Sequence, residues 1–221
     1  MAQTYPHLEV MGFDIDDRMI NYATTQARVG RVDNASFKVM NAVNPLDYPD
    51  NFFDLVNARY LAVIPINTWP KVIQELMRIT RPGGFIRLTE VEQYSITNGP
   101  AFEKLSRMFL QAVKLAGNTS SPDGRSTGLT PLLGRFLRNG GCQNIQRKPS
   151  VIDWSAGMEE HEAVYQVLRP FIKLVQPFLI KMGVTTQEEA DQLFHEAEIE
   201  MMSDDFCALW YLLTVWGNKP G

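Results

Sequence analysis

The stretch VMGFDIDDRMINYA (residues 10–23) carries the pattern on which the fold assignment depends. An apolar run over residues 8–13 stops at Asp14, which is typical of a buried β-strand. Asp16 or Asp17 then suits the start of a helix whose apolar side chains share one face. A buried strand that ends in a carboxylate and leads into a helix predicts the ligand-binding edge of a parallel sheet.

Two further segments of this kind follow along the chain. MNAVNPLDYPDNFFDLVNAR (residues 40–59) contains a proline-bearing loop and a strand over 53–58, and RPGGFIRLTE (residues 81–90) leads into a strand over 85–91. Strands that alternate with helices at this spacing predict right-handed parallel crossovers. The predicted fold class is therefore α/β, with an open and mostly parallel sheet.

Helix boundaries carry local signals. Thr68 is a candidate N-cap for a helix that ends at residues 81–84, because proline cannot continue a helix and glycine permits the turn. Further along, Thr186 and Glu189 fit a capping box. These signals predict where two of the helices begin.

The second half of the chain is predicted to be mostly helical. A strand is expected near residues 145–154 and a last strand over 206–216. Between them, residues 155–205 are predicted as a helical insertion, which Pro170 and Pro177 break into pieces.

Length and composition describe an ordinary globular chain. The 221 residues are 45% hydrophobic and 21% charged, with a formal net charge of -4, so one substantial core is expected and disorder is not. A mildly acidic chain argues against general nucleic-acid binding, and no apolar run reaches the length of a membrane span. The start of the chain, residues 1–10, lacks the basic and apolar parts of a secretory signal. The prediction is a cytoplasmic protein without a nucleic-acid or membrane partner.

The two cysteines lie far apart in the sequence. Cys142 and Cys207 lack metal-ligand spacing, so both are predicted to be free, buried thiols in a reducing compartment. No metal site is predicted.

The order of the three segments resembles the class I S-adenosylmethionine-dependent methyltransferases, in particular the group similar to ubiquinone/menaquinone-biosynthesis methyltransferases. GFDID with its helix is similar to the family's second strand, MNA with PDNFFDLVNAR to its adenine-side loop and fourth strand, and RPGG to the start of its fifth strand. The resemblance is strong over residues 8–90 and looser beyond them. It implies a Rossmann-like sheet with an antiparallel last strand, and S-adenosylmethionine as the cofactor.

The same resemblance implies a set of cofactor-binding residues. Asp14 would accept hydrogen bonds from the ribose hydroxyls, with a helix cap as the alternative, and Ile15 would pack on the adenine or belong to the core. Asn41 would accept from the adenine amino group while the Ala42 amide meets a ring nitrogen; the alternative is an asparagine that serves a turn. Arg59 is expected near the methionine part of the cofactor, or else is a surface arginine.

The sequence gives fewer signals for the residues that would contact the methyl acceptor. The apolar insertion, residues 155–205, would act as a lid over a small, apolar or aromatic acceptor; packing within the insertion, or a homodimer interface, is the alternative. His161 and His195 are weak candidates for a catalytic base, against the usual case of exposed helix histidines. Further weak candidates for substrate contacts follow strands at the expected mouth of the site: Tyr60, Glu90, Glu92 and Tyr94.

One part of the family pattern has no counterpart in the sequence. The family's first strand and its glycine-rich turn hold part of the cofactor through close backbone approach, and residues 1–7 cannot form them. The expectation is a single domain over residues 1–221 that is N-terminally incomplete. A start assigned too late, a truncated or natural fragment, direct pairing of the flanking strands, and completion by a second chain all remain open.

The function predicted from these residues is transfer of a methyl group from S-adenosylmethionine to a small organic molecule. A catalytically inactive, methyltransferase-like module that dimerises or binds a partner is the first alternative. A nicotinamide-dependent oxidoreductase on a similar fold is the second, although RPGG and the spacing of the preceding segments favour the methyltransferase.

Overall fold

The computed structural model describes residues 1–62, 64–92 and 95–221. The chain separates into two compact units, residues 1–50 and residues 51–221, and each is described by itself. Tyr94, one of the predicted substrate contacts, lies outside the described residues.

The first unit is a pair of parallel strands joined by a helix. Its elements are β1 (Val10–Asp14), α1 (Asp17–Val29) and β2 (Ala35–Val39). The register places Asp14 opposite Val39, so both strands end at the same edge. Strand β1 and the start of α1 fall within one or two residues of the predicted positions.

Helix α1 begins with a charged cap. The carboxylate of Asp16 accepts the backbone N–H of Arg18 at 2.9 Å and also the Arg18 guanidinium at 2.6 Å. Hydrogen bonds from Arg18 lower the pKa of Asp16 to about 2. The predicted cap is thereby confirmed at Asp16, although no residue of the helix is buried.

The second unit contains one mixed sheet with helices on both sides. Its elements are β3 (Phe53–Arg59), α2 (Trp69–Ile79), β4 (Thr80–Val91), β5 (Ile96–Thr97), α3 (Pro100–Leu115), α4 (Leu133–Asn139), β6 (Gln143–Asp153), α5 (His161–Lys181), α6 (Gln187–Met201) and β7 (Ala208–Asn218). Strand β3 runs parallel to β4, and β7 runs antiparallel to β4, β5 and β6. The α/β class and the antiparallel last strand are therefore confirmed, and β3, β4 and β6 end at one edge of the sheet.

Strand β4 begins earlier than the sequence predicts. It starts at Thr80 and includes the RPGG segment, because the register jumps from Thr80 opposite Phe53 to Phe85 opposite Leu55. The segment between them bulges out, and Gly83 adopts a left-handed φ of 73° there. The turn chemistry of RPGG thus interrupts the strand instead of preceding it.

The prediction that two prolines divide the helical insertion is wrong for helix α5. It runs without a break through Pro170 and Pro177, which were expected to divide it. Both prolines lie seven positions apart on the exposed side of the helix. The carbonyl groups that lose a backbone partner there can be hydrated by solvent, so the helix survives.

The two predicted N-caps, Thr186 before α6 and Thr68 before α2, differ in the structure. Thr186 accepts the N–H of Glu189 at 3.2 Å and caps α6, which is one half of the predicted capping box. The Glu189 carboxylate accepts from the Thr185 hydroxyl and from Lys104 instead. Thr68 stands just before α2, but its backbone is already helical and its side chain makes no capping bond. The Thr68 hydroxyl lies 3.3 Å from the Asn67 side-chain oxygen instead.

The main core lies between the sheet and helices α3, α5 and α6. The following buried residues share it: Phe102, Phe109, Trp154, Leu168, Leu179, Phe194, Met201 and Trp210. On the sheet's other side, α2 and α4 bury Trp69, Ile73 and Leu137 completely. Within the described ranges, no helix is both long enough and apolar enough to cross a membrane.

The two cysteines differ in exposure. Cys142 is buried and burial raises the pKa of its thiol to about 11. Cys207 is free but exposed, so the expectation of a second buried thiol is wrong. Cys207 lies in the short connection between α6 and β7, where the chain has left the helical core.

Candidate functional site

The edge formed by β1 and β2 brings together the residues predicted to hold a nucleoside. The Met40 N–H donates to the Asp14 carbonyl at 2.9 Å, so the loop after β2 runs beside the end of β1. Asn41 follows directly in that loop. Parallel pairing therefore places Asp14 and Asn41 on neighbouring connections at one edge, as expected from their positions after the two strands.

The Asp14 side chain is exposed and held in position by its own loop. Its Oδ1 accepts the N–H of Asp16 at 2.9 Å, while in the described part of the chain Oδ2 has no hydrogen-bond partner. Ile15 is 66% exposed, so its alternative assignment to the core is wrong. This edge thus presents a carboxylate beside an uncovered apolar side chain.

Asn41 and Ala42 shape the adjoining loop. Asn41 Oδ1 accepts the Val43 N–H at 3.1 Å. Asn41 therefore stabilises a turn, which was the predicted alternative to a contact with adenine. Ala42 is buried. The Asn41 oxygen keeps a second acceptor position, because an amide carbonyl has two lone pairs.

A layered stack of three side chains stands near the ends of β3 and β4 in the second unit. The Tyr60 ring lies parallel to the buried Trp210 ring, with centroids 5.5 Å apart and planes inclined by 8°. The Arg59 guanidinium lies 5.0 Å from the Tyr60 ring centre and donates to its hydroxyl oxygen at 2.9 Å. Arg59 and Tyr60 are both exposed, so this stack, here called the Arg59–Tyr60–Trp210 stack, presents a cation and a phenol to solvent.

The backbone at Tyr60 is held in an uncommon conformation. Its φ is +57°, in the left-handed region that residues other than glycine seldom occupy. The Tyr60 N–H donates to the Thr89 carbonyl at 3.2 Å, which continues the ladder between β3 and β4. Such conformations cost free energy and are frequent at functional sites.

Glu90, at the end of β4, is completely buried. Its Oε1 accepts the Leu61 N–H at 2.7 Å, and the Ala62 N–H also bonds to this carboxyl group. Its Oε2 has no hydrogen-bond partner. Burial raises the pKa of Glu90 to about 8, although these amides and the Arg59 charge act to lower it. With 0% exposure, Glu90 cannot reach a substrate directly in this conformation.

Glu92 serves a different loop. Its carboxylate accepts the Thr130 N–H at 2.8 Å and the Thr130 hydroxyl at 2.6 Å, and it also accepts the Gly128 N–H. These bonds fasten the loop that leads into α4. Glu92 therefore has a local explanation that requires no substrate.

The two histidines of the insertion occupy different surroundings. His161 Nδ1 donates to the Trp154 carbonyl at 2.9 Å, and its ring packs against Trp154 and Phe206. That bond leaves Nε2 as the acceptor nitrogen of the neutral ring. His195 is exposed on α6. The structure does not bring these two side chains into a common cluster with any described carboxylate.

The predicted insertion packs as part of the core. Helices α5 and α6 join α3 in the cluster given above, and an apolar cavity between α3 and α5 has a volume of about 20 Å³. That volume holds about one water molecule. An organic acceptor therefore does not fit between α3 and α5 in this conformation.

Sequence reasoning missed the partners that organise this region. Arg59 and Tyr60 were singled out because they follow a strand, but their contact with Trp210 joins distant parts of the chain. The anchoring of Leu61 by Glu90 likewise spans 29 positions. The apolar residues Ile86, Leu88 and Val91, which alternate with polar residues near Glu90, were a local signal that this strand is partly buried.

Comparison with known proteins shows which part of the chain is similar to a described family. Residues 1–84 match the family model described as a methyltransferase domain, and the fold agrees with it. The match covers residues 1–84 of 221, which is less than half of the chain, so it shows a likeness to a methyltransferase domain over that segment. The matched residues include β1, β2 and β3, and hence Asp14, Asn41 and Arg59.

Curated relatives are similar to part of the chain. The chain is 27% identical over 127 residues to the ubiquinone/menaquinone biosynthesis C-methyltransferase UbiE of Psychromonas ingrahamii, a match that covers 57% of this chain and 42% of that methyltransferase. The matches span less than half the length of the curated methyltransferases concerned.

Two solved structures share the fold of this chain. The YcgJ protein of Bacillus subtilis gives a TM-score of 0.55 at 16% identity, covering 98% of this chain and 86% of that one. Phosphoethanolamine N-methyltransferase 2 of Haemonchus contortus, in complex with S-adenosyl-L-methionine, gives a TM-score of 0.54 at 18% identity, covering 99% of this chain and 45% of that one.

Proposed function

We propose that this chain is a class I S-adenosylmethionine-dependent methyltransferase, which transfers the methyl group of S-adenosylmethionine to a small organic acceptor. The observation that carries the proposal is the edge of β1 and β2, where Asp14 and the loop containing Asn41 meet inside the segment that matches the methyltransferase domain. The cofactor seen in the Haemonchus contortus enzyme supports the choice of S-adenosylmethionine.

The side chains at this edge fit the nucleoside part of that cofactor. A ribose diol needs a hydrogen-bond acceptor, and Asp14 supplies an exposed carboxylate whose Oδ1 is oriented by the Asp16 N–H. Ile15 offers an uncovered apolar surface for a purine face, and the Asn41 oxygen retains acceptor capacity. When bound, S-adenosylmethionine supplies an electrophilic methyl group on a sulfonium sulfur.

The acceptor is proposed to be small and either apolar or aromatic. Tyr60 is our candidate for an acceptor contact, since it is exposed and its ring plane is fixed by Trp210. The assignment of Arg59 to the methionine part of the cofactor stays a prediction, as do the predictions for Tyr94 and for His161 or His195 as a base. A homodimer also stays a prediction.

Calorimetry on the full chain tests the proposed function. We expect saturable binding of S-adenosylmethionine and of its product, S-adenosylhomocysteine, and no comparable binding of NAD. Binding of NAD in preference to both would contradict the proposal, and so would the absence of heat with either methyl-donor compound.

A further inference from the structure

We propose that Glu90 is a positioning residue, whose carboxyl group holds the backbone of Leu61 and Ala62 and thereby sets the geometry of Arg59 and Tyr60. This inference rests on the proposed function for its purpose, because Arg59 and Tyr60 are the residues predicted for the cofactor and the acceptor. Its structural part can be tested without any ligand.

The first argument is the shape of the chain after β3. The left-handed backbone of Tyr60 turns the chain sharply, with φ at +57°. Such a conformation persists only where surrounding contacts hold it. The Tyr60 N–H is bound on one side by Thr89, and the next two amides converge on Glu90.

The second argument is what this turn achieves for the side chains. It lays the Tyr60 ring flat on Trp210, and the Arg59 guanidinium lies 5.0 Å from the centre of the Tyr60 ring. A parallel aromatic pair and a cation over a ring each stabilise such an arrangement only modestly. These contacts alone do not oblige the backbone to adopt a positive φ, so a fixed anchor beneath the turn is needed.

The third argument is the chemistry of the anchor. A buried carboxyl group without a nearby cation at hydrogen-bond distance is costly, and one of its oxygens, Oε2, is unpartnered. The charge that acts on it is that of Arg59, at the end of β3, while β7 places Leu213 opposite it. Its other oxygen, Oε1, accepts the Leu61 N–H at 2.7 Å, so the turn that Glu90 holds explains why a glutamate occupies this buried position.

The test combines two variants with a matched control. Glu90→Gln keeps a carbonyl oxygen for the Leu61 N–H, whereas Glu90→Ala removes it. Glu92→Ala is the control, since Glu92 binds backbone amides of a different loop. Nuclear magnetic resonance would follow the Leu61 amide proton and the Tyr60 ring protons, which the Trp210 ring current shifts upfield.

In the wild type we expect the Leu61 amide proton to move downfield as the pH passes about 8, because an ionised carboxylate is the stronger acceptor. Glu90→Gln should abolish this movement and keep the Tyr60 shift. Glu90→Ala should lose the Tyr60 shift and weaken binding of S-adenosylhomocysteine by about tenfold, corresponding to roughly 1.4 kcal/mol. Glu92→Ala should do neither.

Two outcomes would overturn the inference. One is a Leu61 amide proton that shows the same pH response in wild type and Glu90→Gln. The other is a folded Glu90→Ala variant with unchanged Tyr60 shifts and unchanged affinity. A wild type that binds no S-adenosylhomocysteine would refute the proposed function instead, and the Leu61 and Tyr60 signals would still decide whether Glu90 positions the turn.

Discussion

The fold raises the pKa of the Glu90 carboxyl group well above the value of a glutamate in water. The side chain is fully buried and its pKa is raised to about 8, with burial as the main cause. In the unfolded chain a glutamate ionises near pH 4.5. Between these two values the folded state keeps a proton that the unfolded state has released, so the free energy of unfolding must fall as the pH rises.

We therefore predict that Glu90→Gln changes the pH dependence of stability. From about pH 4.5 to about pH 8, the wild type should lose up to about 1.4 kcal/mol per pH unit relative to the variant, since glutamine has no proton to release. Above pH 8 the difference should level off. Urea unfolding of both proteins at several pH values measures this, and parallel stability curves would show that Glu90 ionises normally in the folded state.

The two thiols provide a second prediction at this scale. Cys207 is exposed and Cys142 is buried with a raised pKa, and the thiolate is the reactive form. A disulfide reagent such as dithionitrobenzoate should label one thiol of the native protein rapidly and the second only after unfolding. In Cys207→Ser the rapid phase should vanish; its persistence would mean that Cys142 is accessible.

At the scale of elements, the sequence predicted most strands and helices because their signals are local. The apolar run before Asp14, the cap at Asp16 and the cap at Thr186 each depend on neighbours a few positions away. Where the prediction was wrong, distant contacts or solvent exposure decided the result. Helix α5 continues through Pro170 because that side faces water, and Thr68 marks the position of a helix start without capping it.

Helix α6 offers a direct test of one such local signal. Thr186→Ala removes the side-chain oxygen that accepts the Glu189 N–H, and the loss of a cap of this kind costs about 1 kcal/mol. The measured quantity is the free energy of unfolding in urea. Thr186→Ser is the matched control and should retain most of the stability, and equal losses in the two variants would show that the hydroxyl does not act as a cap.

At the scale of the whole molecule, the two units differ in how much apolar surface they bury. The main core belongs to residues 51–221, whereas α1 has no buried residue and leaves Met19, Tyr22 and Val29 more than half exposed. Local opening of a structure is easiest where few apolar contacts must be broken. The first unit, which carries Asp14, should therefore be the less stable of the two.

Hydrogen exchange on the full chain measures this difference. We expect amides of α1 to exchange faster than those of β7, which is paired with three other strands. Addition of S-adenosylhomocysteine should slow exchange in the first unit, because a ligand stabilises the folded form to which it binds. Equal protection of α1 and β7 without ligand would contradict the assignment of unequal stability.

Each unit has its own candidate residues, and the sequence predicted those of the first unit more fully than those of the second. Asp14 and Asn41 could be placed at one edge because parallel strands end together, and the order of the segments resembles a known family. The alternative uses of these side chains, such as the turn made by Asn41, required coordinates. In the second unit, the stack of Tyr60 on Trp210 and the burial of Glu90 depend on β7, which lies far along the chain and could not be paired with them from local patterns.

The affinity of S-adenosylhomocysteine for Asp14→Asn, compared with Asp17→Asn and the wild type, tests the central claim most directly. Asp17 is the matched control, because it is an exposed aspartate in the first turn of α1. A carboxylate that accepts from a ribose diol makes charge-assisted hydrogen bonds, so Asp14→Asn should weaken calorimetric binding by roughly tenfold or more. Asp17→Asn should leave it unchanged. Equal affinity for all three proteins would contradict the assignment of Asp14 to the cofactor.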